Sequence, residues 1–317
     1  MNILLTGATG FLGSAVLCRI RQDAEVKVSC PVRKLKLGEV APFIEVGDIN
    51  ESTDFSSVLV GIDVVVHVAA RVHVMRDESE DPLSEYRKVN VFGTANLARQ
   101  AAKAGVRRFV FISSVKVSGE YTRDGEPFVE TMIPSPEDPY GKSKFEAEEA
   151  LKEISVDSGM ELVIIRPPLV YGRGVKANFA NLMKLCSIPV PLPFGLVHNK
   201  RSMIYLENLV DFIVCCVYHP KAVNEIFLIS DDQDLSLSEL IGSIRRVMGK
   251  KSLLFPVPVK LFEFLGSLVR RQAVIERLTG NLQVNSSKAR TLLGWSPPYS
   301  VSKALEVTVS DFLKKDV

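Results

Sequence analysis

Apolar positions in the first half of the chain fall into two alternating periods. Asn2–Leu5 is a short apolar run and reads as a first strand. Phe11–Arg21 follows a helical period. Val26–Val32 alternates apolar and polar residues as a second strand, and Phe43–Val46 reads as a third. Ile62–Val68 is an almost unbroken Val/Ile run, the pattern of a parallel strand covered on both faces. Leu83–Ala104 reads as one long amphipathic helix, with Gly105 as its C-terminal cap. Val106–Ser113 and Leu162–Arg166 read as strands, and Tyr140–Ile154 as the helix between them. This alternation predicts an α/β protein: a doubly wound parallel sheet with right-handed crossovers.

Beyond residue 166 the pattern degrades. Pro167, Pro168, Pro189, Pro191 and Pro193 punctuate the next segment. Periodicity resumes in Asn208–Tyr218 (helix), Ile226–Ile229 (strand), Ser236–Met248 (helix with a serine start) and Val259–Arg271 (helix). The expected organisation is a nucleotide-binding domain over residues 1–170, rejoined by some later segments. Residues 171–317 would form mainly a smaller, substrate-binding lobe.

Composition narrows the class of protein. The 317 residues are 46% hydrophobic and 24% charged, an ordinary globular balance with room for a large core. A net charge of +2 gives no general case for nucleic acid. No apolar run reaches the roughly eighteen residues of a membrane span. Met1–Thr6 runs straight into a glycine loop without the basic leader of a signal peptide. The five cysteines are odd in number and form no CxxC pair, so the expected compartment is the reducing cytoplasm. The four histidines lack HExxH spacing, so no metal is expected.

Thr6-Gly7-Ala8-Thr9-Gly10-Phe11-Leu12-Gly13 joins the first strand to the first helix. Gly7 suits the tight turn, Gly10 lets backbone approach a pyrophosphate, and Gly13 lets the helix pack closely. The helix start then offers free N–H groups and a partial positive charge to phosphate. This is a Rossmann-type dinucleotide loop, although the same glycines also serve a plain strand–loop–helix turn. Asp48, after the third strand, can accept from an adenine amine or simply end the strand. The second strand runs into Ser29-Cys30-Pro31-Val32-Arg33-Lys34, with no acid for a ribose 2′-hydroxyl. Arg33 can fork onto a 2′-phosphate, a lean toward NADP(H) over NAD(H), or be a solvated loop charge.

Tyr140-Gly141-Lys142-Ser143-Lys144 opens a helix and sets Tyr140 and Lys144 four apart on one face. A neighbouring ammonium and a cationic nicotinamide both favour the phenolate over the ordinary phenol. Tyr140 can then take a proton from a hydroxyl as hydride leaves the same carbon, and return it in reverse. Ser114, at a strand end, can hydrogen-bond that oxygen.

In order and spacing these motifs resemble the extended short-chain dehydrogenase/reductase superfamily, in its nucleotide-sugar epimerase/dehydratase branch. So do His67-Val68-Ala69-Ala70, Asn90, Ser113-Ser114, Arg166-Pro167…Tyr171-Gly172, Arg201…Asn208-Leu209-Val210-Asp211 and Leu293-Gly294-Trp295. The resemblance covers essentially the whole chain. It implies a catalytic triad of Ser114, Tyr140 and Lys144, and a UDP-sugar substrate. It also implies an NAD(P)(H) site built from Gly7, Thr9, Gly10, Phe11, Leu12, Arg33, Asp48, Ile49, Ala69, Ala70, Asn90 and Pro167 together with Tyr140 and Lys144. Asn90 would hold the active-site helix, and Arg201 would meet the substrate diphosphate. Helices 83–104 and 140–154 would form a homodimer interface.

Departures from the family pattern sort the activities. Dehydratases carry Asp-Glu after the catalytic hydroxyl, where this chain has Val115-Lys116, so dehydration is disfavoured. Lys116 can contact substrate or cofactor, or point outward. Ser118 stands where relatives often have tyrosine. Asn178, Phe179 and Asn181 are substrate-side candidates by position alone. Arg33, with no acid at the end of the second strand, and the whole-chain resemblance place a C4 ketoreductase of UDP-4-keto sugars in polysaccharide precursor synthesis ahead of a UDP-glucose or UDP-N-acetylglucosamine 4-epimerase. A non-catalytic dinucleotide-binding scaffold comes last. The helix over 259–271, apolar with a basic end, is read as a core helix of the small lobe ahead of a membrane-surface helix.

Overall fold

The structure, a computed structural model, describes residues 1–35, 42–72, 81–268 and 272–315. Its first half is β1 (Asn2–Thr6), α1 (Phe11–Ile20), β2 (Lys27–Val32), β3 (Phe43–Glu45), β4 (Val64–His67), α2 (Pro82–Arg87), α3 (Thr94–Lys103), β5 (Arg108–Ile112), α4 (Pro139–Ser158) and β6 (Glu161–Arg166). There follow β7 (Leu169–Tyr171), α5 (Ala177–Ser187), β8 (Met203–Tyr205), α6 (Leu206–Tyr218), β9 (Glu225–Leu228), α7 (Leu237–Val247), α8 (Val259–Leu268), α9 (Gln272–Thr279), α10 (Ser287–Leu293) and α11 (Val301–Lys315).

Seven strands form one parallel sheet in the order β3-β2-β1-β4-β5-β6-β9. The α/β expectation holds. β4 and β5 are buried along their whole length because helices cover both faces. One core layer lies between the sheet and α1, α6 and α10; it includes Val16, Ile20, Phe212, Ile213 and Trp295. The other, with Leu97, Ala98, Ala147 and Leu151, lies under α3 and α4. The order reverses beside β1, which places a crevice between the C-terminal ends of β1 and β4.

The helix expected over Leu83–Ala104 is present and unbroken from Pro82 to Lys103, but its middle is π-helical. α2 is capped by Asp81, whose side chain accepts from the Ser84 N–H, and it passes into a π-helical segment, Lys88–Gly93, before α3 begins. At the end of that segment the chain crosses the loop after β3 so closely that a Cβ on Gly93 would sit 2.7 Å from Ile49 Cγ2. The extra residue in the turn directs Asn90 inward, where it is 1% exposed. Gly105 takes φ +82° just after α3, as its capping role requires.

The later part has a core of its own, where Tyr171, Phe179, Met183 and Tyr205 meet Leu240, Ile244 and Leu305. Its only paired strands among the described residues are β7 and β8, which run parallel. α5, α9, α10, α11 and the β7–β8 pair lie where no element was expected. α7 begins as expected: Ser236 and Glu239 form a reciprocal capping box. In α8, Phe262 stacks on Phe194 at 5.6 Å, whereas Leu261 and Phe264 are exposed. The basic end of that expected helix, Arg270 and Arg271, lies outside the described residues. Among the described residues no helix is long and apolar enough to cross a membrane, and no group of His, Cys, Asp and Glu is placed to hold a metal ion.

Candidate active site

The parallel register brings the C-terminal ends of β1, β4, β5 and β6 to one edge of the sheet. Every sequence-selected residue of the glycine loop and the catalytic trio follows one of these strands or opens the next helix.

The glycine loop has the shape of a phosphate cradle. Gly7 turns at φ +71°, and a Cβ there would lie 2.7 Å from the Ala69 nitrogen. A Cβ on Gly13 would lie 2.0 Å from the Gly7 carbonyl oxygen, so only glycine lets α1 start so close to β1. Gly10 is exposed and caps α1 by backbone alone. No side chain caps the helix, and its first turn carries no acid, so the N–H groups around Phe11 and Leu12 are open to an anion. Thr9 is exposed on the same loop. These features fit a dinucleotide pyrophosphate.

Across the crevice, the Ala69 N–H donates to Thr6 Oγ1 at 3.1 Å, which fixes the Ala69-Ala70 backbone to β1. His67 lies beneath, with Nδ1 2.7 Å from Thr6 Oγ1 and Nε2 2.9 Å from Thr94 Oγ1. Burial, and then the charge of Lys144, push its pKa down to about 3, so the ring is neutral. On the adenine side, Arg33 Nε lies 2.5 Å from Asp48 Oδ1, with both side chains largely exposed. The two residues expected to receive separate parts of the cofactor are therefore partners, and the fork expected for a 2′-phosphate is engaged by a carboxylate. Ile49 packs against the Gly93 turn.

Ser114 follows β5 and caps the short turn Val115–Val117, its hydroxyl accepting from the Lys116 N–H at 3.2 Å. The Val115 N–H donates to the Pro167 carbonyl at 3.0 Å, so the ends of β5 and β6 are tied at this point. Tyr140 opens α4 and meets Tyr86 edge-on at 6.0 Å. Asn90 donates to Ser143 Oγ at 3.0 Å and exchanges two hydrogen bonds with the Arg71 backbone, which clips α4 to the chain after β4. This is the helix-holding part the resemblance implied.

Lys144 is buried, with Nζ 4.1 Å from the centre of the Phe111 ring. Burial pushes its ammonium down to about 7, opposed by the Glu148 carboxylate one turn on. Glu148 is itself held by Arg166, at 2.6 and 3.0 Å, and by Ser113 at 2.5 Å. Burial raises the Tyr140 phenol well above its ordinary value, Asp138 and Tyr86 add to that, and Lys144 is not among the causes. The chain's own groups hold Tyr140 protonated.

A cleft of about 550 Å³ opens beside the start of α4, lined by Glu120, Tyr121, Asp138, Glu276, Arg277 and Gly280 among others. Arg201 lies at its small-lobe side and donates to the carbonyls of Arg277 and Gly280 at 2.9 and 3.1 Å. Asn178 and Asn181 are exposed on α5. Phe179 is not a substrate-side residue: it is 2% exposed and stacks on Tyr171 at 5.4 Å. Lys116 pairs with Asp138 and Glu120, both of which line this cleft. Sequence reasoning missed Glu120, Asp138 and Glu148. Asp138-Pro139 before a helix is a readable cap signal for the second of these.

A parallel sheet with an open glycine loop at its switch point, and a tyrosine–lysine pair on the adjacent helix, defines a dinucleotide-dependent enzyme of the Rossmann type. The chain belongs to the NAD dependent epimerase/dehydratase family, whose model matches residues 3–230. It is 47% identical to a UDP-glucose 4-epimerase of Vibrio cholerae, over 99% of this chain and 96% of that one. It is 30% identical to the N-acetyl-alpha-D-glucosaminyl-diphospho-ditrans,octacis-undecaprenol 4-epimerase of Escherichia coli O157:H7, over 97% and 94% of the two chains. Among solved structures, the UDP-glucuronic acid 4-epimerase of Bacillus cereus, in complex with UDP-glucuronic acid and NAD, superposes with a TM-score of 0.79 at 24% identity. That match covers 99% of this chain and 100% of the other. These relatives are all named as 4-epimerases, which reverses the order in which the sequence motifs placed ketoreductase and epimerase.

Proposed function

We propose that this protein is an NAD-dependent 4-epimerase of UDP-hexoses, UDP-glucose or UDP-N-acetylglucosamine, with Ser114, Tyr140 and Lys144 as its catalytic groups. The 47% identity to a UDP-glucose 4-epimerase across nearly the whole of both chains carries the reading. The glycine loop binds the pyrophosphate of the dinucleotide, and Ala69 and Ala70 line its path. NAD, when bound, accepts hydride from C4 of the sugar and gives it back. Tyr140 takes the C4 hydroxyl proton in the first half and returns it in the second, with Ser114 holding the same oxygen. The phenol is costly to ionise in its buried setting, so a positive charge beside it is needed for the forward step. Lys144 supplies that charge when it is protonated. Rotation of the ketone between the two transfers inverts C4. Arg201 and Asn178 serve the nucleotide end of the substrate.

The Arg33–Asp48 pair supports NAD over NADP, since the guanidinium is already matched to a carboxylate. The 4-ketoreductase is the second reading, favoured by the absence of an acid at the end of β2. Helices α2 to α4 present a face with Phe92 exposed, which suits a homodimer.

The test is to denature the purified protein, identify any released dinucleotide by mass, and follow UDP-glucose against UDP-galactose. Bound NAD, interconversion without net change in nicotinamide absorbance, and a loss of about a thousandfold in Tyr140→Phe are expected. Stoichiometric oxidation of NADPH by a UDP-4-keto-6-deoxy sugar, with no epimerisation, would establish the reductase instead.

A further inference from the structure

We propose that Lys116 is a positioning residue, whose ammonium ties the turn carrying Ser114 to the first turn of the helix carrying Tyr140. The proposal rests on the epimerase reading for its kinetic consequences, but the contacts stand without it.

Ser114 and Tyr140 come from separate elements, 26 residues apart in the chain, yet must meet one substrate oxygen. Nothing in the sheet ladder fixes their relative position, because both lie beyond the strand ends. Ser113, next to Ser114, reaches Glu148 two turns along α4 at 2.5 Å, and the ties to the first turn of α4 come from Lys116. Its N–H donates to Ser114 Oγ at 3.2 Å, which holds the short turn closed. Its carbonyl lies against the start of α4 so tightly that a Cβ on Gly141 would sit 2.8 Å from it. Its ammonium pairs with Asp138, and with Glu120 at 2.8 Å. Asp138 is the cap of α4, where its other oxygen accepts from the Gly141 N–H at 2.6 Å. One side chain thus links the serine turn to the cap two residues before Tyr140.

The link also sets a charge. Burial alone would raise the Asp138 carboxyl, but Lys116 and the Gly141 amide overcome it and hold the group below its usual range. Asp138 is therefore an anion close to Tyr140, and it disfavours the phenolate. Lys116 is the cation that offsets it. The other group facing Tyr140 is Tyr86 on α2, whose ring has the Arg71 guanidinium over it at 5.7 Å; Lys144, one turn on along α4, lies over the Phe111 ring. Glu120 shares the Lys116 ammonium, so the three-residue cluster carries one net negative charge.

Four variants test this: Lys116→Met, Lys116→Arg, Asp138→Asn, and Lys116→Met with Asp138→Asn. With UDP-glucose, Lys116→Met should lower kcat about ten- to a hundredfold while KM stays within about twofold. The acidic limb of its kcat–pH profile should move to higher pH, by about half a unit or more, because Asp138 is left uncompensated beside Tyr140. Lys116→Arg should restore most of kcat. The double variant should bring the limb back toward the wild-type position. Asp138→Asn alone keeps a cap acceptor and should move the limb to lower pH.

A raised KM with kcat preserved would show that Lys116 binds substrate and would overturn the proposal. So would a limb that moves equally in the single and double variants. If Lys116→Met does not fold, Asp138→Asn carries the same test, and an unmoved limb there rejects it. Hydrogen exchange of the peptide 138–144 gives a readout that needs no activity. Lys116→Met should speed it and Lys116→Arg should not; equal protection in all variants rejects the tie. Wild-type protein inactive on both UDP-glucose and UDP-N-acetylglucosamine, with exchange behaving as described, would reject the epimerase reading alone.

Discussion

The two halves of the molecule hold their backbones in different ways. In the sheet half, the main chain does most of this work: six parallel pairings run through β1 to β6 and β9, and buried side chains such as Arg108, which donates to the carbonyls of Cys216, Val217 and His219, serve only the connections around them. In the small lobe, long-range side chains do much of that work. The Arg245 guanidinium, 1% exposed, donates to the carbonyls of Ile188, Val190 and Leu253. Asn199 donates to the carbonyls of Leu278 and Gly280 and accepts from the Leu237 N–H. Proline explains the difference. Pro189, Pro191 and Pro193 remove donors along a segment that meets its neighbour only through the bonds of Leu192 and Gly195 to Leu253 and Phe255, so other carbonyls there look to side chains instead.

The largest expected effect breaks the small lobe alone. Arg245→Met leaves three carbonyls without their charged donor and should cost about 3–5 kcal/mol in denaturant unfolding. Since the sheet half does not depend on this residue, protection of β4 and β5 amides from hydrogen exchange should persist in conditions where 188–195 exchanges freely. Simultaneous loss of both would mean the lobes unfold as one unit.

A second prediction separates folding from ligand binding inside the glycine loop. Gly13→Ala puts a methyl 2.0 Å from the Gly7 oxygen and should cost about 2–3 kcal/mol of stability. Gly10→Ala meets only the Gly7 oxygen at 3.2 Å and otherwise faces solvent, so stability should change by less than about 1 kcal/mol. Its loss should appear in NAD affinity, since the methyl occupies the approach of the pyrophosphate. Calorimetric unfolding and NAD titration on the same two proteins check the pair. Equal stability losses would mean that the loop glycines serve the fold only.

The same contrast explains how much could be read in advance. The Val/Ile runs of β4 and β5, the glycine loop and the YxxxK spacing are local patterns imposed by burial or helical pitch, so they show in the sequence. The π-helical segment at Lys88–Gly93 does not, because an apolar stripe with one extra residue still looks helical over a long window. Nor does the polar layer beneath the site. Glu148, Arg166 and Ser113 lie on three elements, and their partnership depends on register between β5, β6 and α4. Motifs that carried the family resemblance also turned out to have structural work. Asn208 binds Asp231 and both backbone groups of Tyr299, and Asp211 accepts from the Trp295 indole. In the small lobe, β7, β8 and α5 lay among prolines and short segments with no clear period.

The smallest effect concerns pH and tests whether the sheet half is as dry as its geometry implies. His67 sits between Thr6 and Thr94 under the crevice, with its pKa pushed down to about 3 by burial and by Lys144. An unfolded chain titrates its histidine at about 6.5. Between these values the unfolded state binds a proton that the folded state does not, so stability falls as pH falls through that window. At about pH 5.5 the loss from this one residue is about 1.3 kcal/mol relative to neutral pH, before the carboxylates contribute. In His67→Asn this part of the slope should vanish, although the variant is less stable overall. The difference between the two pH–stability curves isolates the imidazole from every other group. Parallel curves would mean that the ring is protonated in the folded protein, or that water reaches it, and the positive charge would then have to be counted among the groups acting on Lys144. A steeper wild-type curve would show that burial and the charge of Lys144 hold the imidazole neutral in the folded protein.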